Sequence, residues 1–284
     1  HYPQEFMTAV INNFGGFYPT WVYINEAKRY GAAVNLPDVN RSQYFTSIHG
    51  EDIYLGFIHL KDMESGTARH IIRERDENGP FGHLEDFVSR TAVHREQLII
   101  LIRAGALRFT GISKAAMLWK AHMLTGKKKK ARSRELFVPQ SKDYQLPGLE
   151  QTPLEDAYDE IELLGFPVTL SRFDMLKTSF RGELSAGELI AHVGKTVRMT
   201  GELVTIKYVK TVRGEIMNFA AFLDPRGEFF DTVHFPVSLR QYPFRGYGVY
   251  LILGRVVEEF GFPSLEVEKM ARLPLKPDPR EEEG

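Results

Sequence analysis

The chain has 284 residues, of which 43% are apolar and 12% aromatic, which is enough for two or three packed cores. Its formal net charge of −1 supplies no bulk field to attract phosphates, so any nucleic-acid interface would have to be a local patch. The lack of cysteine excludes a disulfide scaffold, and no apolar run reaches the roughly 20 residues of a membrane span, so we expect a cytoplasmic protein without membrane contact.

The first 50 residues predict a two-helix hairpin followed by a short strand pair. Pro3 stands near the start of the first helical stretch and Gly15-Gly16 ends it, while Pro19 and Gly31 bound the second in the same way. After an extended stretch, AVNLPDVNRS, the segments YFTSI, HGED and IYLGF predict strand, turn and strand.

Residues 56–125 contain short helical stretches separated by glycine or polar breaks: SGTARHIIRERDENG, FGHLEDFVSRT, HREQLIILIRAGAL and ISKAAMLWKAHML. Helices this short must pack on each other. Helix, tight turn and helix, repeated with Gly105 in the second turn, is typical of a tandem helix-hairpin-helix bundle. In that motif the turn amides and the next helix N-terminus bind a backbone phosphate. A small helical bundle without DNA contact remains an alternative.

The segment from Gly126 to Arg134, GKKKKARSR, predicts an exposed basic linker, with a phosphate-contacting patch as the alternative. Leu136 and Phe137 are apolar residues within this polar stretch, and such a pair can dock into a pocket of a partner. From Pro153, LEDAYDEIELLG predicts a helix with apolar residues inward and an acidic, solvated face. The expected inward residues are Leu154, Tyr158, Ile161 and Leu164 or its neighbour, and the expected acidic face is Asp156, Asp159, Glu160 and Glu162.

From Lys195 to about Leu275, strand-length runs with alternating apolar residues predict five strands, with VSLRQYPF as a helical turn between the third and fourth. This pattern predicts an OB-fold β-barrel, a fold that binds single-stranded nucleic acid. Its first hairpin carries basic side chains suited to phosphates, and the next strand carries aromatics suited to base stacking. These candidate DNA-binding residues are Lys207, Lys210, Arg213, Phe219 and Phe222. Alternation places the two phenylalanines on opposite faces, and the sequence leaves open which face is outward.

No catalytic constellation is evident in the sequence. The histidines lack metal-ligand spacing, and there is neither a G-x-S-x-G turn nor a phosphate-cradling glycine loop. We therefore expect no catalytic residue, no metal site and no cofactor in this chain.

Five stretches in order resemble the C-terminal region of the bacterial C-family replicative DNA polymerase, the alpha subunit of DNA polymerase III: HYPQEFMTAVI, LPDVNRS, GPFGHLEDFVSRT, LIRAGAL and MNFAAFLD…RGEF…FP. The resemblance implies an α+β multi-domain fold. Its expected parts are the end of a helical fingers domain (1–50), a tandem helix-hairpin-helix domain on duplex DNA (51–125), a basic linker with connecting helices (126–194), an OB-fold on the single-stranded template (195–275) and a tail (276–284).

The resemblance also implies that the chain is a piece of a DNA-directed DNA polymerase. The catalytic aspartates and their Mg²⁺ would lie in a palm domain upstream of His1, so we expect the piece to be inactive alone. Three alternatives remain: an accessory error-prone paralogue, a non-catalytic protein-binding adaptor, and an anticodon-binding barrel such as some aminoacyl-tRNA synthetases contain.

The first hairpin departs from the family pattern. Where the family has glycines after a lysine, this chain has Leu60-Lys61-Asp62-Met63-Glu64. Two carboxylates would repel a phosphate, and the lost glycines remove freedom for positive φ. We therefore expect Lys61 to contribute little to DNA affinity, and Arg103 and Gly105 in the second hairpin, together with the barrel, to supply most of it.

The resemblance further implies a sliding-clamp contact in the linker. A family-type site begins with Gln and ends in Leu or Met followed by Phe. Here Ser133 stands in the Gln position, while Leu136 and Phe137 match. We therefore expect clamp binding to be weak or absent.

Overall fold

The structure, a computed structural model, describes residues 2–14, 16–126 and 151–281, and the chain forms two compact units. Of the described residues, the helical unit comprises 2–8, 32–126 and 151–169, and the barrel unit comprises 9–14, 16–31 and 170–281. The expected α+β class is confirmed. The boundary expected at residue 50 does not separate the units, because the strands on either side of it pair with each other.

The elements follow in chain order. They are α1 (Pro3–Asn12), α2 (Thr20–Arg29), β1 (Ala33–Asn35), β2 (Ser47–His49), β3 (Asp52–Tyr54), α3 (Ser65–Asn78), α4 (Leu84–Thr91), α5 (Arg95–Arg103), α6 (Lys114–Gly126), α7 (Pro153–Leu164), β4 (Thr196–Lys210), β5 (Ile216–Leu223), β6 (Phe229–His234), α8 (Pro236–Gln241), β7 (Val249–Glu259) and β8 (Phe262–Arg272).

The helical unit packs α3 to α6 around one apolar core, as the short helical stretches predict. Phe57, Ile71, Phe87, Leu98 and Leu101 are completely buried in it. The predicted strand pair is also confirmed: β2 and β3 run antiparallel, and β1 adds a third strand parallel to β3.

Helix α7 buries only part of the face that its apolar residues predict: Leu163, the neighbour of Leu164, is buried, whereas Leu154, Tyr158 and Ile161 are half-buried. Its buried residues are Ala157, Asp159, Glu160 and Leu163. The prediction that the acidic residues are all solvated is therefore wrong for Asp159 and Glu160, which are 6% and 1% exposed. The Glu160 carboxylate accepts hydrogen bonds from the Val168 and Thr169 amides at 2.6 and 2.9 Å, which offsets the cost of its burial.

The barrel unit contains a closed barrel with strand order β4-β5-β6-β8-β7, and β7 pairs back to β4. The five predicted strands are confirmed, and α8 lies between the third and fourth, as predicted. Close packing fills the interior: a Cβ on Gly201 would lie 2.6 Å from the Phe230 ring and 2.8 Å from the Phe222 Cβ. Helix α2 of the same unit packs on the barrel through Val22 against Val204 and Leu223.

A histidine is buried inside the barrel. His234 is 1% exposed, and its Nε2 lies 2.8 Å from the Thr232 hydroxyl. That hydroxyl donates to the Ala220 carbonyl, so it accepts from a neutral imidazole carrying its proton on Nε2. Burial lowers the pKa of His234 to about 4.

Because the pKa of His234 is lower in the folded barrel than in the unfolded chain, the folded state loses stability as the pH falls from about 6.5 toward 4. We expect wild type to lose about 2.5 kcal/mol more than His234→Gln between about pH 7.5 and about pH 4.5. The measurement is urea unfolding of both proteins in a Trp119→Phe background, where Trp21 alone reports on the barrel unit. Equal losses would show that folding does not lower the pKa of His234.

Candidate nucleic-acid interface

The hairpin between β4 and β5 reaches beyond the barrel body. Its turn, residues 211–215, is closed by a 2.8 Å hydrogen bond from the Thr211 amide to the Glu215 carbonyl, with Gly214 at φ 78°. The side chains of Lys207, Lys210 and Arg213 are exposed. Within residues 2–14, 16–126 and 151–281, no carboxylate forms an ion pair with any of these three cations. The tip is therefore a net cationic element available to phosphates.

The three cations do not share one face of the hairpin. Lys207 pairs with Phe219, and both point outward, because side chains alternate along each strand. Lys210 pairs with Ile216 and lies on the opposite face, together with Tyr208. The Cβ atoms of directly opposite residues lie about 5 Å apart, so Lys207 and Phe219 are cross-strand neighbours on this face. A cation next to an exposed ring suits a nucleotide, whose phosphate and base need different partners.

The two candidate aromatics differ in burial. Phe219 is 42% exposed, whereas Phe222 is completely buried and stacks on Phe230 with ring centroids 5.5 Å apart. The expectation that Phe222 stacks on a base needs correction, because its ring forms part of the barrel core. The outward face of β5 is the one that carries Phe219.

Acidic side chains border this outward face on its other side. Phe219 pairs with Val233, which pairs in turn with Glu266, and Asp231 lies one outward position along β6. Partial burial raises the pKa of Asp231. Carboxylates repel a phosphate backbone, so a nucleic-acid strand on this face would keep its phosphates on the side of Lys207.

The first hairpin of the helical unit, residues 60–64, is fixed by hydrogen bonds to other residues of the same unit. Asp62 adopts φ 61°, so it keeps the left-handed turn that a glycine would take; the expectation that the substitution removes this conformation is wrong. The Gln97 side chain accepts from the Glu64 amide at 2.8 Å and donates to the Asp62 carbonyl at 3.0 Å. The Lys61 amide donates to the Leu163 carbonyl at 2.7 Å. These amides are occupied, and the Glu64 carboxylate stands at the start of α3.

The second expected hairpin is also internally satisfied. Gly105 is buried at φ 73°, and its amide donates to the Ile102 carbonyl at 2.9 Å. The Arg103 Nε donates to the Asp159 carboxylate at 2.7 Å, and its Nη2 contacts Glu162. The Arg103 guanidinium is thus bound by two carboxylates of α7, and the backbone amide of Gly105 is not available to a ligand.

Sequence reasoning overlooked an exposed turn and an exposed aromatic. The exposed glycine turn before α6 is at Gly111, with φ 67°, and not at Gly105. Its neighbouring amides are capped by Thr110 and Ser113. Tyr208 is 69% exposed on the basic hairpin. The signals were the run TGIS directly before a helix and the position of Tyr208 between two lysines.

Some sequence predictions fall elsewhere. Ser133, Leu136 and Phe137 lie outside the described residues. Where the chain is described, no group of three or more acidic or histidine side chains is arranged to hold a metal ion. In those same ranges, no helix is both long enough and apolar enough to cross a membrane.

Comparison with known proteins places these elements in a family context. Residues 31–117 match the family described as a helix-hairpin-helix motif. The DNA polymerase III subunit alpha of Thermus aquaticus is 38% identical over 111 residues, covering 38% of this chain and 9% of that protein. The subunit of the same name from Treponema pallidum is 26% identical over 257 residues, covering 84% of this chain and 22% of that protein.

An error-prone DNA polymerase of Mycolicibacterium paratuberculosis is 32% identical over 124 residues, covering 43% of this chain and 11% of that protein. The chain thus spans under a quarter of the length of each of these relatives. Over most of its length, it resembles the C-terminal region of the bacterial DNA polymerase III alpha subunit.

Proposed function

We propose that this chain is the DNA-holding part of a bacterial replicative DNA polymerase and that its barrel is an OB-fold that grips the single-stranded template. The observation that carries the proposal is the β4–β5 hairpin. Its cations pair with no carboxylate in the described parts of the chain, and one of them, Lys207, is the cross-strand neighbour of the exposed Phe219. The strand order β4-β5-β6-β8-β7 with a helix after the third strand supports the OB assignment. Polymerase chemistry would belong to other parts of the parent.

A single-strand grip predicts that Phe219→Ala weakens binding of a labelled single-stranded oligonucleotide by about 1 to 3 kcal/mol, the usual worth of one base stacked on an aromatic ring. Fluorescence anisotropy measures the affinity, and a thermal melt checks the fold. Leu251→Ala, at a half-buried position on another barrel strand, serves as the control. If Phe219→Ala binds as tightly as wild type, this face does not stack bases.

A second candidate is an accessory error-prone polymerase, favoured by the 32% identity to a protein of that name. Both candidates require DNA binding by this chain. A protein-binding adaptor does not, so absence of binding to single-stranded and duplex DNA at low salt would favour the adaptor. The sliding-clamp contact through Leu136 and Phe137 remains a prediction.

A further inference from the structure

A cleft in the helical unit lies away from both hairpins. It has a volume of about 400 Å³ between α3 and the loop before β2. Its lining combines two arginines, two acids, an amide, an aromatic ring and an aliphatic side chain: Gln43, Tyr44, Arg69, Ile72, Arg73, Asp76 and Glu77. We propose that this cleft binds the phosphodiester backbone of duplex DNA. The inference rests on the proposed function and specifies where the helical unit would make its contact.

A buried arginine fixes the loop that lines one side of the cleft. Arg75 is 8% exposed, and its Nη1 donates to the Ser42 carbonyl at 2.7 Å and to the Val39 carbonyl at 3.3 Å. The Ser42 hydroxyl donates in turn to the Leu55 carbonyl at 2.9 Å. The loop that carries Gln43 and Tyr44 is therefore fixed on α3 before any ligand arrives, which lowers the ordering cost of binding.

The two arginines of the cleft are oriented but not neutralised. The Arg69 guanidinium lies over the Tyr44 ring, 4.9 Å from its centroid, and the Arg73 Nη2 contacts the His70 Nδ1 at 3.2 Å. Neither guanidinium forms an ion pair with a carboxylate in the described part of the chain. By contrast, Arg75, Arg90, Arg95, Arg103 and Arg108 of the same unit all do.

The cleft lining holds two arginines and two acids, and the site is net positive by one charge only when the buried Arg75, which pairs with Asp76, is counted. Asp76 is paired with the Arg75 Nε at 2.9 Å, which leaves Glu77 as the acidic side chain at the rim without an ion pair among the described residues. Arg69 and Arg73 are four residues apart and thus adjacent on one face of α3. Two adjacent guanidinium groups beside a shallow cleft can each bind one of two successive phosphates. The backbone amides of the two hairpins described above are less suited to phosphate, because they already donate hydrogen bonds within the protein.

The test uses the whole chain, a short blunt duplex and a single-stranded oligonucleotide, both labelled for anisotropy. Arg73→Glu should weaken duplex binding about tenfold and reduce the slope of log K against log salt by about 1, with single-strand affinity unchanged. Arg95→Glu, an exposed arginine of the same unit outside the cleft, is the matched control and should change little. Tyr44→Ala, which removes the ring beneath Arg69, should also weaken duplex binding.

If Arg73→Glu and Arg95→Glu bind the duplex with equal affinity, the inference about the cleft is overturned. The proposed function still stands in that case, provided that the wild-type chain binds DNA. A wild-type chain that binds neither DNA would overturn both. Because Arg73 is exposed, its replacement should leave the circular-dichroism melt of the helical unit unchanged.

Discussion

Asp159→Ala is expected to lower the free energy of unfolding of the helical unit by about 3 to 5 kcal/mol. The Asp159 carboxylate is buried between two cations: the Arg103 Nε donates to it at 2.7 Å and the Lys114 Nζ at 3.0 Å. Lys114 is itself 8% exposed, so removing Asp159 leaves its charge in a poorly solvated position with one fewer partner. Urea unfolding in a Trp21→Phe background, where Trp119 reports on the helical unit, measures the loss.

The matched control is Glu162→Ala, which removes the other acidic partner of Arg103. The Glu162 side chain is 48% exposed, so its ion pair is screened by water and should contribute at most about 1 kcal/mol. Losses of equal size for the two variants would contradict the view that Asp159 is the buried centre of this network.

Charge reversal of the basic hairpin is the second large expected effect. Lys207→Glu/Arg213→Glu should weaken single-strand binding by about 10- to 100-fold at low salt. The reason is that two cations without ion-pair partners in the described residues become repulsive to phosphates. The salt slope should also decrease, by about 0.7 for each single-strand phosphate that the variant no longer neutralises. Anisotropy titrations at several salt concentrations give both quantities.

Lys195→Glu/Arg255→Glu is the control for this pair. It makes the same charge change on exposed residues of the barrel that lie where β4 begins, whereas the hairpin lies where β4 ends. If both double variants weaken binding equally, the barrel attracts DNA by its general charge and not through the hairpin.

Much of the fold can be predicted from the sequence because the apolar pattern and the turn residues indicate the same secondary structure. Alternating apolar residues and glycine turns predicted every barrel strand, and short amphipathic runs predicted α3 to α6. Alternation along β5 also separated Phe219 from Phe222, but only the closed barrel decides that Phe222 is inside.

The sites were harder to predict because their chemistry depends on partners distant in sequence. No residue near Arg103 in the sequence indicates that its guanidinium will donate a hydrogen bond to the Asp159 carboxylate. The burial of Asp159 is also unexpected, because acidic residues are usually exposed. The left-handed turn at Asp62 likewise persists because Gln97 fixes both sides of it. Long-range ion pairs and hydrogen bonds of this kind leave no local signature.

Whether the barrel holds the template strand can be measured by binding to primed-template DNA with increasing single-stranded overhang. Anisotropy would be recorded on a fixed duplex whose overhang grows from none to about 16 nucleotides, the upper site size of one OB-fold. If the barrel grips the template, wild-type affinity rises with overhang length and Lys207→Glu/Arg213→Glu abolishes this gain. Wild-type affinity that is independent of the overhang would contradict a template-holding barrel.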